Sequence, residues 1–312
     1  MKQKPNKYEL LISVIIPTIN RSGLVCRAIL SSYYQSYRNV EIIVINDFSQ
    51  DDTDLIVPAF IKQNKLEDRV KYLKNTKNLG NAETRNVGIR NASGQYIAFL
   101  DDDDIWFPDK LEKQINEILK TKTKVCFCGQ IWVEGNKVLQ TKLDHDTKIS
   151  FQNGGPTSTW LLHRSVFDTI GYFDSDFPSN VDGEFLVRLN KKYSCCFVDE
   201  PLYVHYYYES QISASNTKKI AGLEMLIHKH YKILNKYELS AAYLKLEIYY
   251  LLSNQKRFSI VIDSIRSRVT VNNLMILAIM LLPGDRLSRL ALNRVLDYLN
   301  YSSSFAGRNK YK

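Results

Sequence analysis

Short apolar runs alternate with segments of helical periodicity over the first hundred residues of the chain. Each run is rich in β-branched residues and is followed by polar residues, as expected of buried strands in a parallel sheet. The strands are predicted at 11–17, 40–45, 70–73 and 96–100. Between them, apolar residues at helical spacing predict helices at 24–34, 54–65 and 78–91. This alternation predicts an α/β fold, Rossmann-like and doubly wound, with a mostly parallel central sheet.

The fourth strand runs directly into four consecutive aspartates, Asp101–Asp104. Because the carboxyl ends of parallel strands share one edge of a sheet, Thr18 and Asp47 are expected beside this acidic run. Adjacent carboxylates repel one another unless a cation lies among them, and Mg²⁺ and Mn²⁺ prefer carboxylate oxygen and water as ligands. A nucleotide at this edge would meet Asp47 near its base or ribose and the aspartates near its phosphates. The alternative is a solvated acidic loop that caps the helix beginning at Pro108.

The net charge and the predicted secondary structure both change near residue 216. Residues 1–216 carry 26 basic and 27 acidic side chains, whereas residues 217–312 carry 16 basic and 6 acidic ones, so the net charge of +9 arises in the tail. Apolar residues at helical spacing predict tail helices at 221–234, 239–252, 258–265 and 285–299. We therefore predict two domains, 1–216 and a basic helical region 217–312. The tail is either a helical bundle with its own core or a module that binds an anionic membrane surface.

Several features favour the cytoplasm as the location. Residues 1–9 are polar and charged, which is not the pattern of a signal peptide, and no apolar run reaches the length of a spanning helix. The run Leu274–Leu282 has only nine residues. The five cysteines are odd in number and include the adjacent pair Cys195 and Cys196, which does not resemble a disulfide framework. Peripheral contact with the inner face of the cell membrane remains an expectation for the tail.

Four segments in series carry a family resemblance. They are SVIIPTINR (13–21), VEIIVINDFSQDDT (40–53), NLGNAETRNVGI (78–89) and GQYIAFLDDDDIWFPDKLEKQ (94–114). In their order and spacing they resemble family 2 glycosyltransferases of the GT-A fold. Members of that family usually have tyrosine where this chain has Ile19, and Asp-Asp-Gly-Ser where it has Asn46-Asp47-Phe48-Ser49.

The resemblance implies a nucleotide-sugar site at the carboxyl edge of the sheet. The residues that it assigns to nucleotide-sugar binding are Pro17, Thr18, Asn20, Arg21, Asp47, Asn81, Arg85, Asp101 and Asp102. It also implies a Mn²⁺ or Mg²⁺ ion on Asp101 and Asp103, with contact between Asp102 and the ribose as an alternative. His205, in the segment PLYVHYYYES (201–210), is either a further metal ligand or a packing residue.

A second part of the resemblance concerns the helix near residue 182. In similar enzymes a Glu-Asp pair opens this helix, and its aspartate is the catalytic base. Here Val181 replaces the glutamate and Asp182 keeps the aspartate. Asp182 is therefore expected to be the catalytic base, and the alternative is that it only caps the helix at 183–190.

The function implied is that of an inverting, metal-dependent glycosyltransferase. The donor would be a UDP-hexose or UDP-N-acetylhexosamine, and the acceptor a glycan or lipid-linked hydroxyl in the synthesis of bacterial O-antigen or capsule. A nucleotidyltransferase is one alternative, although the segment from Thr18 to Gly23 is a poor glycine-rich loop. A non-catalytic nucleotide- or nucleic-acid-binding module is the other, but the basic excess lies outside the α/β region and no RNA-stacking motif is present. We therefore expect no nucleic-acid partner.

Overall fold

A computed structural model describes residues 9–134, 137–142, 155–207 and 215–234, together with four residue pairs between 238 and 250. The predicted helices at 258–265 and 285–299, the run Leu274–Leu282 and half of the predicted helix at 239–252 lie outside the described residues. In the part of the chain that is described, no helix has the length and apolarity needed to cross a membrane.

The four predicted strands form one half of the sheet. In chain order they are β1 (Ile12–Thr18), β2 (Val40–Asn46), β3 (Val70–Lys74) and β4 (Tyr96–Phe99). They pair in parallel in the order β3-β2-β1-β4. The connecting helices are α1 (Ser22–Tyr33), α2 (Thr53–Gln63) and α3 (Gly80–Asn91). The predicted α/β class and the mostly parallel sheet are therefore confirmed.

The other half of the sheet contains antiparallel pairs. Its strands are β5 (Ile105–Trp106), β6 (Val125–Glu134), β7 (Lys137–Lys142), β8 (Leu161–His163) and β9 (Cys196–Tyr207). β8 lies between β4 and β6, antiparallel to both, and β9 lies between β6 and β5. Since β5 follows the acidic run in the chain, its pairing with β9 brings the 203–206 segment to that run. The remaining helices are α4 (Lys110–Thr121), α5 (Ser165–Ile170), α6 (Val181–Lys192) and α7 (Asn216–His230).

Both faces of the parallel strands are apolar, because helices cover both. All seven residues of β2 are buried, and six of the seven in β1. The contact of α3 with β1 is especially close at Gly88, where an added Cβ would lie 2.4 Å from Cγ2 of Ile15. Only glycine permits this approach, which fixes α3 against the sheet and sets the position of Arg85 one turn earlier.

The chain divides into two compact units. The first contains residues 1–148, 155–175 and 188–211, and the second contains residues 149–154, 176–187 and 212–312. The acidic run belongs to the first unit and Asp182 to the second. The predicted boundary at residue 216 stays a prediction, since most of the tail is outside the described residues.

Candidate active site

The end of β1 binds the centre of the acidic run. Thr18 Oγ1 donates a hydrogen bond to Oδ2 of Asp102 at 2.7 Å. One nitrogen of Arg21, Nη1, lies 2.8 Å from Oδ1 of Asp102 and 2.7 Å from Oδ2 of Asp103. Both aspartates are buried, so this single guanidinium compensates two carboxylates where water cannot.

A second arginine compensates the first aspartate of the run. Arg85 is buried in α3, and its Nη2 lies 2.6 Å from Oδ1 of Asp101. The backbone of Asp101 is fixed as well, because its N–H donates to Oγ of Ser158 at 3.1 Å. The carbonyl of Ser158 in turn accepts from Nε1 of Trp106 at 2.9 Å. Sequence reasoning did not identify Ser158, which lies in a short 3₁₀ turn, Thr157–Thr159, and contacts the run only through long-range folding.

The fourth aspartate has a different environment. Asp104 is buried and accepts hydrogen bonds from the Tyr203 hydroxyl at 2.7 Å and from the Tyr206 backbone at 3.3 Å. His205 Nδ1 lies 3.1 Å from Oδ1 of Asp104 and 2.8 Å from the Tyr203 hydroxyl, and its ring packs edge-on against Trp132. His205 therefore combines packing with a polar contact to the run, and its role as a metal ligand stays a prediction. Tyr203 and Trp132 are site residues that the sequence did not reveal.

Burial and ion pairing act against each other on the acidic run. Burial raises the pKa of Asp102 to about 6, although Arg21 and the Thr18 hydroxyl oppose the shift. Burial likewise raises the pKa of Asp104 to about 6, against the contact with His205. For His205 itself, burial lowers the pKa, but the contact with Asp104 outweighs burial and the pKa is raised. For Asp102 and Asp104, burial therefore favours the neutral carboxyl, and their basic partners favour the charged one.

The distribution of hydrogen bonds separates the four aspartates into two classes. Both oxygens of Asp102 and both of Asp104 accept hydrogen bonds from the chain. Among the described residues, none is made to Oδ2 of Asp101 or to Oδ1 of Asp103. Two carboxylate oxygens with available lone pairs fit a Mg²⁺ or Mn²⁺ ion that takes its other ligands from phosphate and water. No group of three or more His, Cys, Asp or Glu side chains in the described part of the chain could hold a metal alone.

The carboxylate of Asp47 is buried and hydrogen-bonded within the chain. Asp47 is only 4% exposed, and its carboxylate accepts from Nδ2 of Asn75 and from the backbone N–H groups of Leu79 and Gly80 at 2.8–2.9 Å. Its side chain thereby holds the segment that leads into α3. Contact between Asp47 and a nucleotide stays a prediction.

The loops that follow β1 and β2 are joined to each other. The backbone N–H of Asn20 donates to Oγ of Ser49 at 2.8 Å, and the N–H of Gln50 donates to Oδ1 of Asn20 at 2.7 Å. Asn20 has a left-handed backbone with φ of 54°. Asn20 and Asn81 are exposed, and Pro17 is half-buried, so these three predicted residues lie at or near the surface of the first unit.

Asp182 lies in the second unit, within the first turn of α6. The helix begins at Val181, and the carbonyl of Asn180 accepts the first helical hydrogen bond, from Glu184, at 3.0 Å. Asn180 has φ of 60°, and a Cβ on Gly183 would lie 2.7 Å from its Oδ1. Asp182 is therefore inside the helix rather than at the position that caps residues 183–190. Its role as the base stays a prediction.

The next carboxylate along α6 is unsuited to that role. Glu184 is fully buried, and its Oε1 lies 2.9 Å from Nζ of Lys229 and 3.0 Å from Nε2 of His230, both on α7. α7 also packs on the turn before α6, because a Cβ on Gly222 would lie 2.5 Å from the carbonyl oxygen of Ser179. Glu184 thus fastens the helix that carries Asp182 to α7.

Comparison with known proteins identifies the family. The family described as glycosyl transferase family 2 matches residues 13–178, which is more than half of the chain. The chain belongs to this family. It is therefore a glycosyltransferase, as the four sequence segments indicated, and the nucleotidyltransferase and nucleic-acid alternatives are not carried further. Asp182 lies four residues beyond the matched region.

Individual relatives and structures agree with this result. The β-1,3-glucosyltransferase WfgD of Escherichia coli, named for UDP-Glc as donor and α-D-GlcNAc-diphosphoundecaprenol as acceptor, is 35% identical over 167 residues, or 52% of this chain and 64% of the relative. The structure of Staphylococcus aureus TarS with UDP-GlcNAc has a TM-score of 0.63 at 17% identity and covers 97% of this chain and 94% of that one. The mannosyltransferase PcManGT of Pyrobaculum calidifontis with GDP-Man and Mn²⁺ has a TM-score of 0.60 at 13% identity, covering 96% and 88%. These two likenesses show that the fold is of the GT-A type.

Proposed function

We propose that this glycosyltransferase transfers a hexose or N-acetylhexosamine from a UDP-sugar to a hydroxyl of a lipid-linked or glycan acceptor during synthesis of a surface polysaccharide. The observation that carries the proposal is the acidic run at the carboxyl edge of the sheet. Asp101, Asp102 and Asp103 are held there by Arg21 and Arg85, and two carboxylate oxygens face no partner within the described residues. The relative WfgD, whose name includes a UDP-sugar donor and a lipid-diphosphate acceptor, supports the choice of substrates.

The acidic run and its partners bind and orient the donor. Asp101 and Asp103 would hold Mn²⁺ or Mg²⁺, which would neutralise charge on the departing diphosphate. Arg21 and Thr18 fix the carboxylate of Asp102, and both of its oxygens accept hydrogen bonds, which leaves Asp102 less suited to metal binding than Asp101 and Asp103. Arg85, which is buried in α3, keeps Asp101 in place. This preorganisation spares the enzyme a rearrangement during the reaction.

The proposed catalytic base is Asp182. Asp182 accepts the proton of the acceptor hydroxyl as the hydroxyl oxygen forms a bond to the anomeric carbon. The bond from that carbon to the diphosphate oxygen breaks at the same time, and its electron pair leaves with UDP. A single displacement inverts the anomeric centre, so a UDP-α-sugar gives a β-linked product.

A release assay tests the donor and the metal together. The full chain is incubated with a panel of nucleotide sugars and a lipid-linked GlcNAc-diphosphate acceptor, with Mn²⁺, Mg²⁺ or EDTA, and nucleotide release is measured. We expect acceptor-dependent release of UDP that requires the divalent ion. Asp103→Asn should abolish turnover and weaken UDP binding in Mn²⁺, because it removes one of the two available carboxylates.

Asp68→Asn is a matched control, since the Asp68 side chain is 61% exposed, and it should behave as the wild type. Full activity in EDTA, or in Asp103→Asn, would contradict the metal site. Release of a nucleotide other than UDP would contradict the proposed donor.

A further inference from the structure

Phe48 has an unusual backbone conformation. Its φ is 64°, in the left-handed region that glycine and asparagine adopt and that bulky side chains avoid. The family resemblance places glycine at this position, where such a backbone has no steric cost. An aromatic residue kept in a strained conformation points to a local task for its side chain.

The hydrogen bonds around Phe48 impose this conformation. The N–H of Asp47, just before it, donates to the carbonyl of Thr18 at 2.8 Å, and the N–H of Ser49, just after it, donates to Oδ1 of Asn46 at 2.9 Å. Nε2 of Gln50 donates to the carbonyl of Phe48 itself at 3.0 Å. Both sides of the residue are therefore fixed, and Phe48 is presented from a rigid turn at the carboxyl end of β2.

The ring of Phe48 is available to contact a ligand. It is 40% exposed, and in the described part of the chain no aromatic ring or cation stacks on it. The neighbouring side chain, that of Asp47, is in contrast buried, and its carboxylate accepts three hydrogen bonds. At this point of the edge, the group offered to a ligand is an apolar ring rather than a carboxylate.

We infer that Phe48 is a donor-binding residue whose ring stacks on the nucleobase of the bound nucleoside diphosphate. The inference rests on the proposed function, which puts a nucleotide sugar at this edge of the sheet. A ring stacks on any base through its π-face, so Phe48 adds affinity without selecting uracil over other bases. The strained turn is retained because it holds the ring in place before the nucleotide arrives.

Calorimetric titration of the full chain with UDP in Mg²⁺ tests the inference. Phe48→Gly and Phe48→Asn accept the left-handed backbone but lack the ring, and we expect each to raise the Kd for UDP about tenfold, since stacking on one base contributes about 1–3 kcal/mol. Phe48→Tyr keeps the ring and should bind as the wild type does. Tyr34→Ala is the matched control, because Tyr34 is an exposed aromatic with an ordinary φ of −89° at the end of α1.

Thermal unfolding without nucleotide separates binding from folding. The Gly and Asn variants should unfold near the wild-type temperature, because relief of the left-handed strain offsets the small area that is no longer buried. If they bind UDP as tightly as the wild type, or if Phe48→Tyr binds as weakly as they do, the inference is overturned. If the wild type binds none of UDP, GDP and ADP, the proposed function itself fails, which is a different result.

Discussion

At the scale of residues, the four aspartates show what sequence can and cannot assign. The pattern of an apolar strand followed by Asp101–Asp104 predicts a site at the end of β4. It could not assign separate roles to the four aspartates, because these roles depend on Thr18, Arg21 and Tyr203, which lie 81 to 99 positions away in the chain. The structure provides these partners, and with them a physical reason to prefer Asp101 and Asp103 as metal ligands.

The proposed base gives a prediction at this scale. Asp182→Asn keeps the size of the side chain but cannot accept the proton of the acceptor hydroxyl. We expect sugar transfer to fall by about 10²–10⁴-fold, the range for a lost general base, while the Kd for UDP is unchanged. Rates of transfer and calorimetric titration of UDP are the two measurements.

A suitable control for this substitution is Asp168→Asn, in α5 of the first unit. Near wild-type transfer by Asp182→Asn would show that the base is another group. Glu184 would not replace it, since its carboxylate is buried between two basic side chains.

At the scale of elements, the sequence predicted the parallel strands well and the antiparallel ones poorly. β1 to β4 are apolar runs whose neighbours are close in sequence, so local pattern is sufficient. β5 and β8 have two and three residues, and their pairing with β9, β4 and β6 depends on contacts between residues at least 35 positions apart. The network of Asp104, Tyr203 and His205 depends on this pairing and could not be anticipated.

The ion pair between α6 and α7 gives a prediction about stability. Glu184→Ala removes a fully buried carboxylate and leaves His230 without that partner. We expect the free energy of unfolding to fall by about 3 kcal/mol, the lower end of the range for breaking a buried pair. Lys229→Ala should cost less, since its side chain is 39% exposed. Urea unfolding of the full chain measures both, and equal effects would contradict the role given to Glu184.

The start of α4 gives a prediction about pH. Lys110 is fully buried against Trp106, and burial lowers the pKa of its amine to about 8. Between about pH 8 and the ordinary lysine value of 10.5, the unfolded chain holds a proton that the folded chain has lost, so stability rises with pH. Relative to Lys110→Met, the wild type should therefore gain stability as the pH is raised through this window. The free energy of unfolding is measured for both proteins at pH 7 and pH 10. If the difference between them is the same at both pH values, the pKa of Lys110 is not lowered.

At the scale of the whole molecule, charge is the property that the sequence defines best. Residues 217–312 carry 16 basic and 6 acidic side chains, and the described structure covers only the first part of that region. α7 belongs to the same compact unit as Asp182, and Glu184 binds it directly. The region therefore begins with an element that supports α6, and the proposal of peripheral membrane contact concerns the residues that follow.

Flotation with anionic liposomes tests that contact. Replacing Arg286, Arg289 and Arg294 by glutamine in the full chain should reduce binding at low salt, because each basic residue near an anionic surface contributes about 1 kcal/mol. The matched control replaces three exposed lysines of the first unit, Lys62, Lys65 and Lys122, and should float as the wild type does. If the two triple variants float equally well, these three arginines do not carry membrane binding. If the wild type does not float, the protein does not bind the anionic membrane, and the proposal is wrong.

The central claim is that this family 2 glycosyltransferase transfers a sugar with inversion. The most direct measurement is the anomeric configuration of the product, determined by NMR after the wild-type chain has acted on a UDP-α-sugar and a lipid-linked acceptor in Mn²⁺. The account predicts a single β-linked sugar on the acceptor, formed with one equivalent of UDP. An α-linked product would contradict the single displacement assigned to Asp182, and hydrolysis without transfer would contradict the proposed acceptor.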